Sequence, residues 1–248
     1  MSVVALALGT AVAAQLAPIP PGELERVYEV PGESSTVPVG PFALEVDPVT
    51  NAEFLAFVQA HPQWRRDQVP ALYADEGYLA HWPADGAVGD LGALPVTRVS
   101  WFAARAYCAS EGRRLPVEDE WERAGAATAR AQAAGPGEER PGTLLPWFPS
   151  PGSLALQPVG SDPPNYFGVR GLHGQIWEWV EDFNSSFAAA DVRRTEESER
   201  LGSCGGWPLA ASDVVDYRGY MRLAYRSELI AKETKLNLGF RCAADLSP

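Results

Sequence analysis

Apolar and polar positions along this chain fall into short blocks separated by long stretches without regular period. Phe54, Leu55, Phe57 and Val58 give one apolar helical face, and Thr50-Asn51-Ala52-Glu53 ahead of them has the spacing of a capping box. That pattern predicts a helix from about Asn51 to Ala60, stopped before Pro62. A second helix is expected after Ser100, which can cap it, running to about Ser110 with Gly112 beyond its end. A third is expected from about Val117 to Ala127. Glu118, Asp119 and Glu120 in its first turn suit the positive end of the helix dipole. Strands are expected near residues 25–30 and 41–46, and two or three more between Gly205 and Ala244. The remainder reads as loop: 61–95 with Trp64, Tyr73, Tyr78 and Trp82, an Ala/Gly/Pro-rich excursion over 128–165, and a charged insertion over 181–200. No internal repeat or domain linker is visible. The division is therefore an apolar run over 1–15, an extended leader over 16–40, and one loop-rich domain over 41–248.

Composition sharpens this picture. Among 248 residues, 23 Gly, 22 Pro and 8 Trp argue against a helical bundle and for irregular backbone pinned by aromatic packing. A net charge of −12 disfavours nucleic acid and anionic membrane surfaces as partners. Residues 1–15 carry no charged side chain, and Ala11-Val12-Ala13 fits a small-x-small cleavage site, so the run resembles a secretory signal peptide without a basic n-region. The implied location is periplasmic or secreted. No later stretch reaches the ~20 apolar residues of a membrane span. The cysteines are Cys108, Cys204 and Cys242, with no CxxC and no Cys/His cluster. An exported chain could form one disulfide and keep one free thiol; spacing alone does not choose the pair.

Several segments together resemble the family of formylglycine-generating enzymes, or sulfatase-modifying factors. They are Val49-Thr50-Asn51-Ala52-Glu53-Phe54, Pro95-Val96-Thr97-Arg98-Val99-Ser100-Trp101, Ala106-Tyr107-Cys108, and Gly112-Arg113-Arg114-Leu115-Pro116 continuing into Glu118-Asp119-Glu120-Trp121-Glu122. Then come Pro164-Asn165-Tyr166-Phe167-Gly168, Gly174-Gln175-Ile176-Trp177-Glu178-Trp179, Gly205-Gly206-Trp207, Arg226-Ser227, and Leu238-Gly239-Phe240-Arg241-Cys242. The order matches the family over about residues 40–245. The resemblance implies an α+β fold: a single loop-rich domain, variant of the C-type lectin. It also implies a Cys108–Cys242 disulfide, which leaves Cys204 as the free thiol. Closing a loop of that length adds roughly 4–5 kcal/mol on the entropic account. The plainer reading of most motif residues is that they specify the fold, since a fold says little about chemistry. Arg113 and Arg114, beside the acidic helix start, suggest local ion pairing.

The chain departs from the family where the chemistry lies. The family oxidises a substrate cysteine with copper and dioxygen, using two active-site cysteines and a serine after the Gly-Gly pair. A thiolate pair suits soft Cu(I). Here Trp207 stands at the serine, Ala210 and Arg218 fall at the cysteines, the segment is about three residues longer, and residues 205–241 contain no cysteine. Copper is therefore not expected. Calcium is weakened too: Gly171 and Gln175 replace the usual ligands, leaving Glu178 as one carboxylate. Its plainer reading is a buried acid bonded to backbone or arginine. Val117 replaces the usual Thr cap, at about 1 kcal/mol to the third helix. His61, His81 and His173 do not form a triad by spacing.

The altered segment, from Trp207 to Ser227, holds the binding candidates Trp207, Asp213, Tyr217, Arg218, Arg222 and Arg226, with Asp216, Tyr220 and Tyr225 between them. Arginines read carboxylate, sulfate or phosphate bidentately, and Tyr and Asp can carry protons. The competing reading is a strand pair with exposed alternating polar side chains. The expectation is an exported accessory or maturation factor binding a peptide of a client redox enzyme, without cysteine oxidation. The alternative is a copper-independent periplasmic enzyme acting on a small molecule or peptide. A lectin-type binding module lacks a convincing calcium sugar site.

Overall fold

The structure, a computed structural model, describes residues 14–26, 34–84, 86–134, 156–183, 222 and 225–246. The three expected helices are present. α1 (Asn51–Ala60) starts on a closed capping box: Thr50 Oγ1 accepts the Glu53 N–H at 3.2 Å and the Glu53 carboxylate accepts the Thr50 N–H at 2.8 Å. α2 (Trp101–Ser110) starts on Ser100, whose Oγ accepts the Ala103 N–H at 3.2 Å. It ends two residues before Gly112, which takes φ 68°. α3 (Glu118–Gly125) stops two residues short of the expected end. Val117 offers no oxygen to its N-terminus. Instead the Glu120 carboxylate accepts the Val117 N–H at 2.9 Å, and Asp182 Oδ1 accepts the Glu118 N–H at 2.7 Å. A carboxylate from 64 residues downstream thus replaces the missing threonine.

The strands correct one expectation. Within the expected leader, Leu16–Ile19, Gly22–Glu25 and Thr36–Val39 are strands. β1 (Leu16–Ile19) pairs antiparallel with β4 (Phe42–Glu45), and β4 pairs antiparallel with β7 (Ala243–Asp245), so the chain's two ends flank one buried strand. β2 (Gly22–Glu25) pairs with β3 (Thr36–Val39) in a separate hairpin. The cause is short-range alternation hidden among Pro and Gly. Ala17, Ile19, Leu24 and Val39 turn inward and are buried, while their neighbours face water. Only Glu25 of the strand expected at 25–30 is in β2; 27–33 lie outside the described residues. β5 (Trp177–Glu178) runs parallel to β6 (Leu238–Gly239). Gly239 is required there, because a Cβ would stand 2.2 Å from the Val96 carbonyl oxygen.

The core closes around an aromatic cluster. Phe54 of α1, Tyr107 of α2 and Phe240 meet with ring centroids 5.3–5.9 Å apart. Beside them a disulfide joins Cys108 to Cys242, tying α2 to the chain between β6 and β7.

Candidate functional site

The site is built outward from one buried carboxylate. On β5, Glu178 Oε1 accepts from Arg241 Nη2 at 2.8 Å, and Oε2 accepts from Arg241 Nε at 2.8 Å and from Trp121 Nε1 at 2.7 Å. Neither side chain of the Glu178–Arg241 pair reaches solvent. Arg241 donates its remaining hydrogens to the carbonyls of Glu45, Val46 and Arg170. A buried ion pair persists only when its other lone pairs and protons are satisfied, and here they are. Both oxygens of Glu178, the weak calcium candidate, accept hydrogen bonds, from the arginine and the indole. Among the described residues no three His, Cys, Asp or Glu side chains gather as a metal cluster.

The indole of Trp121 links this pair to a second one on α3. Arg226 lies 4.8 Å over the Trp121 ring and Arg222 lies 5.6 Å from it. Arg226 Nη1 donates to Glu118 at 3.0 Å and to Glu122 at 2.8 Å, and Arg222 forks onto Glu122 through Nε and Nη2 at 3.0 and 2.7 Å. Two arginines thus meet two carboxylates in a nearly water-free cluster. Burial alone would raise the Glu122 carboxyl, but the Arg222 and Arg226 charges and hydrogen bonds outweigh it and hold it down at about 2. Arg222 and Arg226, expected as binding residues, are held inside this cluster. They are 6% and 3% exposed, and their guanidiniums are engaged by α3 and its tryptophan. The anticipated local pairing beside α3 holds for Arg114, which forks onto Glu120, while Arg113 reaches back to Glu45 on β4.

Trp207, Asp213, Tyr217, Arg218 and Cys204 lie outside the described residues. Their flanks are inside. Asp182, just before the segment, accepts from the first N–H of α3, and Arg222 and Arg226, just after it, bind the carboxylates of the same helix. Beyond Arg222, Tyr225 stacks on Trp177 at 4.0 Å and 17°, with Lys235 Nζ 5.2 Å from the Tyr225 ring centroid. Asp182, Glu118 and Glu122 were not singled out as site residues. Their role depends on pairings some 60–100 residues apart, which no local spacing signals. The histidines are separate: His61 meets the Phe57 carbonyl, His81 meets Asn51, and His173 meets the Gly125 carbonyl.

Comparison with known proteins places this geometry. Residues 9–246 match the family model described as the sulfatase-modifying factor enzyme 1-like domain. The chain is 30% identical over 251 residues to mouse (Mus musculus) inactive C-alpha-formylglycine-generating enzyme 2, covering 86% of this chain and 78% of that protein. It is 30% identical over 280 residues to the formylglycine-generating enzyme of Mycobacterium tuberculosis, covering 89% and 93%. The crystal structure of CarF superposes with a TM-score of 0.52 at 16% identity over 94% of this chain and 99% of that one, a likeness of fold alone.

Proposed function

The chain belongs to the sulfatase-modifying-factor family, and we propose that it is an exported accessory factor that holds a peptide of a client enzyme and does not perform copper-dependent cysteine oxidation. One observation carries this reading. Cys108 and Cys242 are joined in a disulfide, so Cys204 is the one cysteine left of three. A Cu(I) site built on a thiolate pair cannot be assembled from a single thiol, and the residues present do not fit copper. The mouse relative, whose name calls it inactive, supports a scaffold that serves without the oxidase chemistry. The uncharged run at 1–15 supports export, as does the disulfide, a bond that persists in oxidising compartments. No helix among the described residues is long and apolar enough to cross a membrane.

The peptide is held by the segment that carries Trp207, Asp213, Tyr217 and Arg218. Arg218 supplies a fork for a carboxylate, and Trp207 and Tyr217 supply aromatic faces. Arg222 and Arg226, which follow that segment in the chain, are tied to α3 by their ion pairs with Glu118 and Glu122.

Tagged full-length protein mixed with periplasmic extract should retain one client, and a synthetic peptide from that client should compete it off. Arg218→Gln and Tyr217→Ala should each weaken the peptide at least about threefold. Nothing retained above background, from protein whose melting curve shows it folded, would overturn the reading.

A further inference from the structure

Four of the six large hydrophobic side chains exposed among the described residues lie on stretches that the fold stitches together. Leu72 is 70% and Ile230 62% exposed, and Tyr73 and Leu236 accompany them. The Asp75 N–H donates to the Lys232 carbonyl at 3.0 Å, and the Asp75 carboxylate accepts the Thr234 N–H at 3.1 Å and the Thr234 hydroxyl. The Trp101 N–H donates to the Ala231 carbonyl at 2.9 Å, and the Tyr73 ring lies 5.2 Å from Phe102. Turns closed by Tyr73 N–H onto the Pro70 carbonyl and Glu233 N–H onto the Ile230 carbonyl, both at 2.8 Å, fix the backbone at Leu72 and Ile230. The apolar side chains are thus held in water by polar bonds behind them. Apolar exposure gathered in this way marks an interaction surface, unlike the ordinary scatter of single residues.

The charge of this face selects its partner. The chain as a whole stands at −12. Residues 64–76, 101–105 and 228–236 nonetheless hold five basic and five acidic side chains, and both lysines of the chain, Lys232 and Lys235, are among them. Part of the balance is closed within the face, by Arg65 with Asp67 at 3.2 Å and Lys235 with Glu233 at 3.3 Å. Two copies of so acidic a chain repel each other in most orientations, over a range of about 8 Å at physiological salt. A face of balanced charge lets them approach without that penalty. A strongly acidic or strongly basic partner finds no opposite field here to steer it. The three stretches together also match the ~20–30 residues a side of a standard interface.

We propose that a second copy of the chain docks on this face, in a two-fold contact that buries Leu72, Tyr73 and Ile230 of both protomers. In a two-fold contact the same patch meets itself, so a patch of one sign is repelled and a balanced patch is not. The closed symmetry uses the face up on both protomers, and association stops at the dimer. The face takes no residue from Trp207 to Arg218, the segment proposed to hold the client peptide.

Sedimentation of the full chain from about 1 to 100 μM tests this, with melting curves to show that each variant is folded. The expected result is a monomer–dimer equilibrium whose midpoint falls in that range. Leu72→Glu and Ile230→Glu alter exposed side chains, and each should weaken the dimer at least about tenfold by placing an unpaired charge in the contact. Tyr166→Glu, on an exposed aromatic outside these stretches, should leave the dimer unchanged within about twofold. A chain that stays monomeric at about 100 μM, its face covered by another protein or by none, would overturn the proposal. So would a dimer that survives both Leu72→Glu and Ile230→Glu, or one that Tyr166→Glu disrupts as strongly.

Discussion

Replacing Glu122 by glutamine tests the α3 cluster with the least change of shape. In the native chain its two oxygens receive Arg222 at 2.7 and 3.0 Å and Arg226 at 2.8 Å, and its side chain is 14% exposed. Glu122→Gln removes one negative charge and turns an NH2 group toward two guanidiniums. Glu118 then faces two buried arginines alone. Breaking a buried pair by removing one partner costs about 3–5 kcal/mol, because the surviving charge is left uncompensated. For a chain of this size 1 kcal/mol moves the melting midpoint by about 2–4 °C, so the midpoint at pH 7 should fall by about 6–20 °C. Circular dichroism reads this directly, with Glu228→Gln, on an exposed residue, as the control that should stay within about 0.5 kcal/mol of wild type. The double variant Glu122→Gln, Arg222→Gln restores charge balance and should recover part of the loss, as coupled neighbours do. The pH dependence has a definite sign. Glu122 is held below its ordinary value, so its stabilisation is complete above about pH 4.5 and is lost as pH falls toward 2. A Glu122→Gln protein melting within 1–2 °C of wild type, on the conversion above, would refute the claim that this cluster anchors the site.

Two further outcomes follow from other parts of the fold. Glu45, buried at the end of β4, is pushed by desolvation up to about 7, against the Cys242 N–H at 2.7 Å and the charge of Arg113. Its folded value exceeds its unfolded one, so stability is full below about pH 4.5 and declines as pH rises through 7, by about 3 kcal/mol at 1.36 kcal/mol per pH unit. Urea midpoints measured from pH 5 to 8 should fall for wild type, and the fall should flatten in Glu45→Gln; parallel curves would contradict the assignment. The Cys108–Cys242 disulfide spans 134 residues, so Cys108→Ala with Cys242→Ala should lower stability by about 4–5 kcal/mol on the loop-entropy account. Denaturant unfolding measures this, and a loss below about 1 kcal/mol would show that the bond constrains little in the unfolded chain.

The helices were legible in the chain because their signals are local. Thr50 with Glu53 and Ser100 with Ala103 close caps within three residues, and the structure shows those hydrogen bonds. β1 and β2 were not legible. Their four-residue runs contain Pro18 and Gly22, and what makes them strands is a partner more than ten residues away: Leu16 opposite Glu45, Gly22 opposite Val39. The same holds for the site. The acidic start of α3 is visible in the sequence and suits the helix dipole, and Arg113 and Arg114 beside it suggest local pairing. Arg114 fits that reading. Arg222 and Arg226 pair with Glu122 from about 100 residues away, and only folding brings them over Trp121. Asp182 as the remote cap of α3 is a third case, invisible because its acceptor role depends on a helix it does not precede.

The central claim is that this scaffold lacks the sulfur pair required to hold copper and oxidise a cysteine. The most direct measurement incubates the purified, disulfide-intact protein with Cu(I), dioxygen, a reductant and a cysteine-containing sulfatase-type peptide, and follows the peptide by mass spectrometry with an aldehyde-specific probe. The account predicts a peptide of unchanged mass, no probe labelling and no stoichiometric retention of copper. Tight one-to-one copper binding together with aldehyde on the peptide would contradict it.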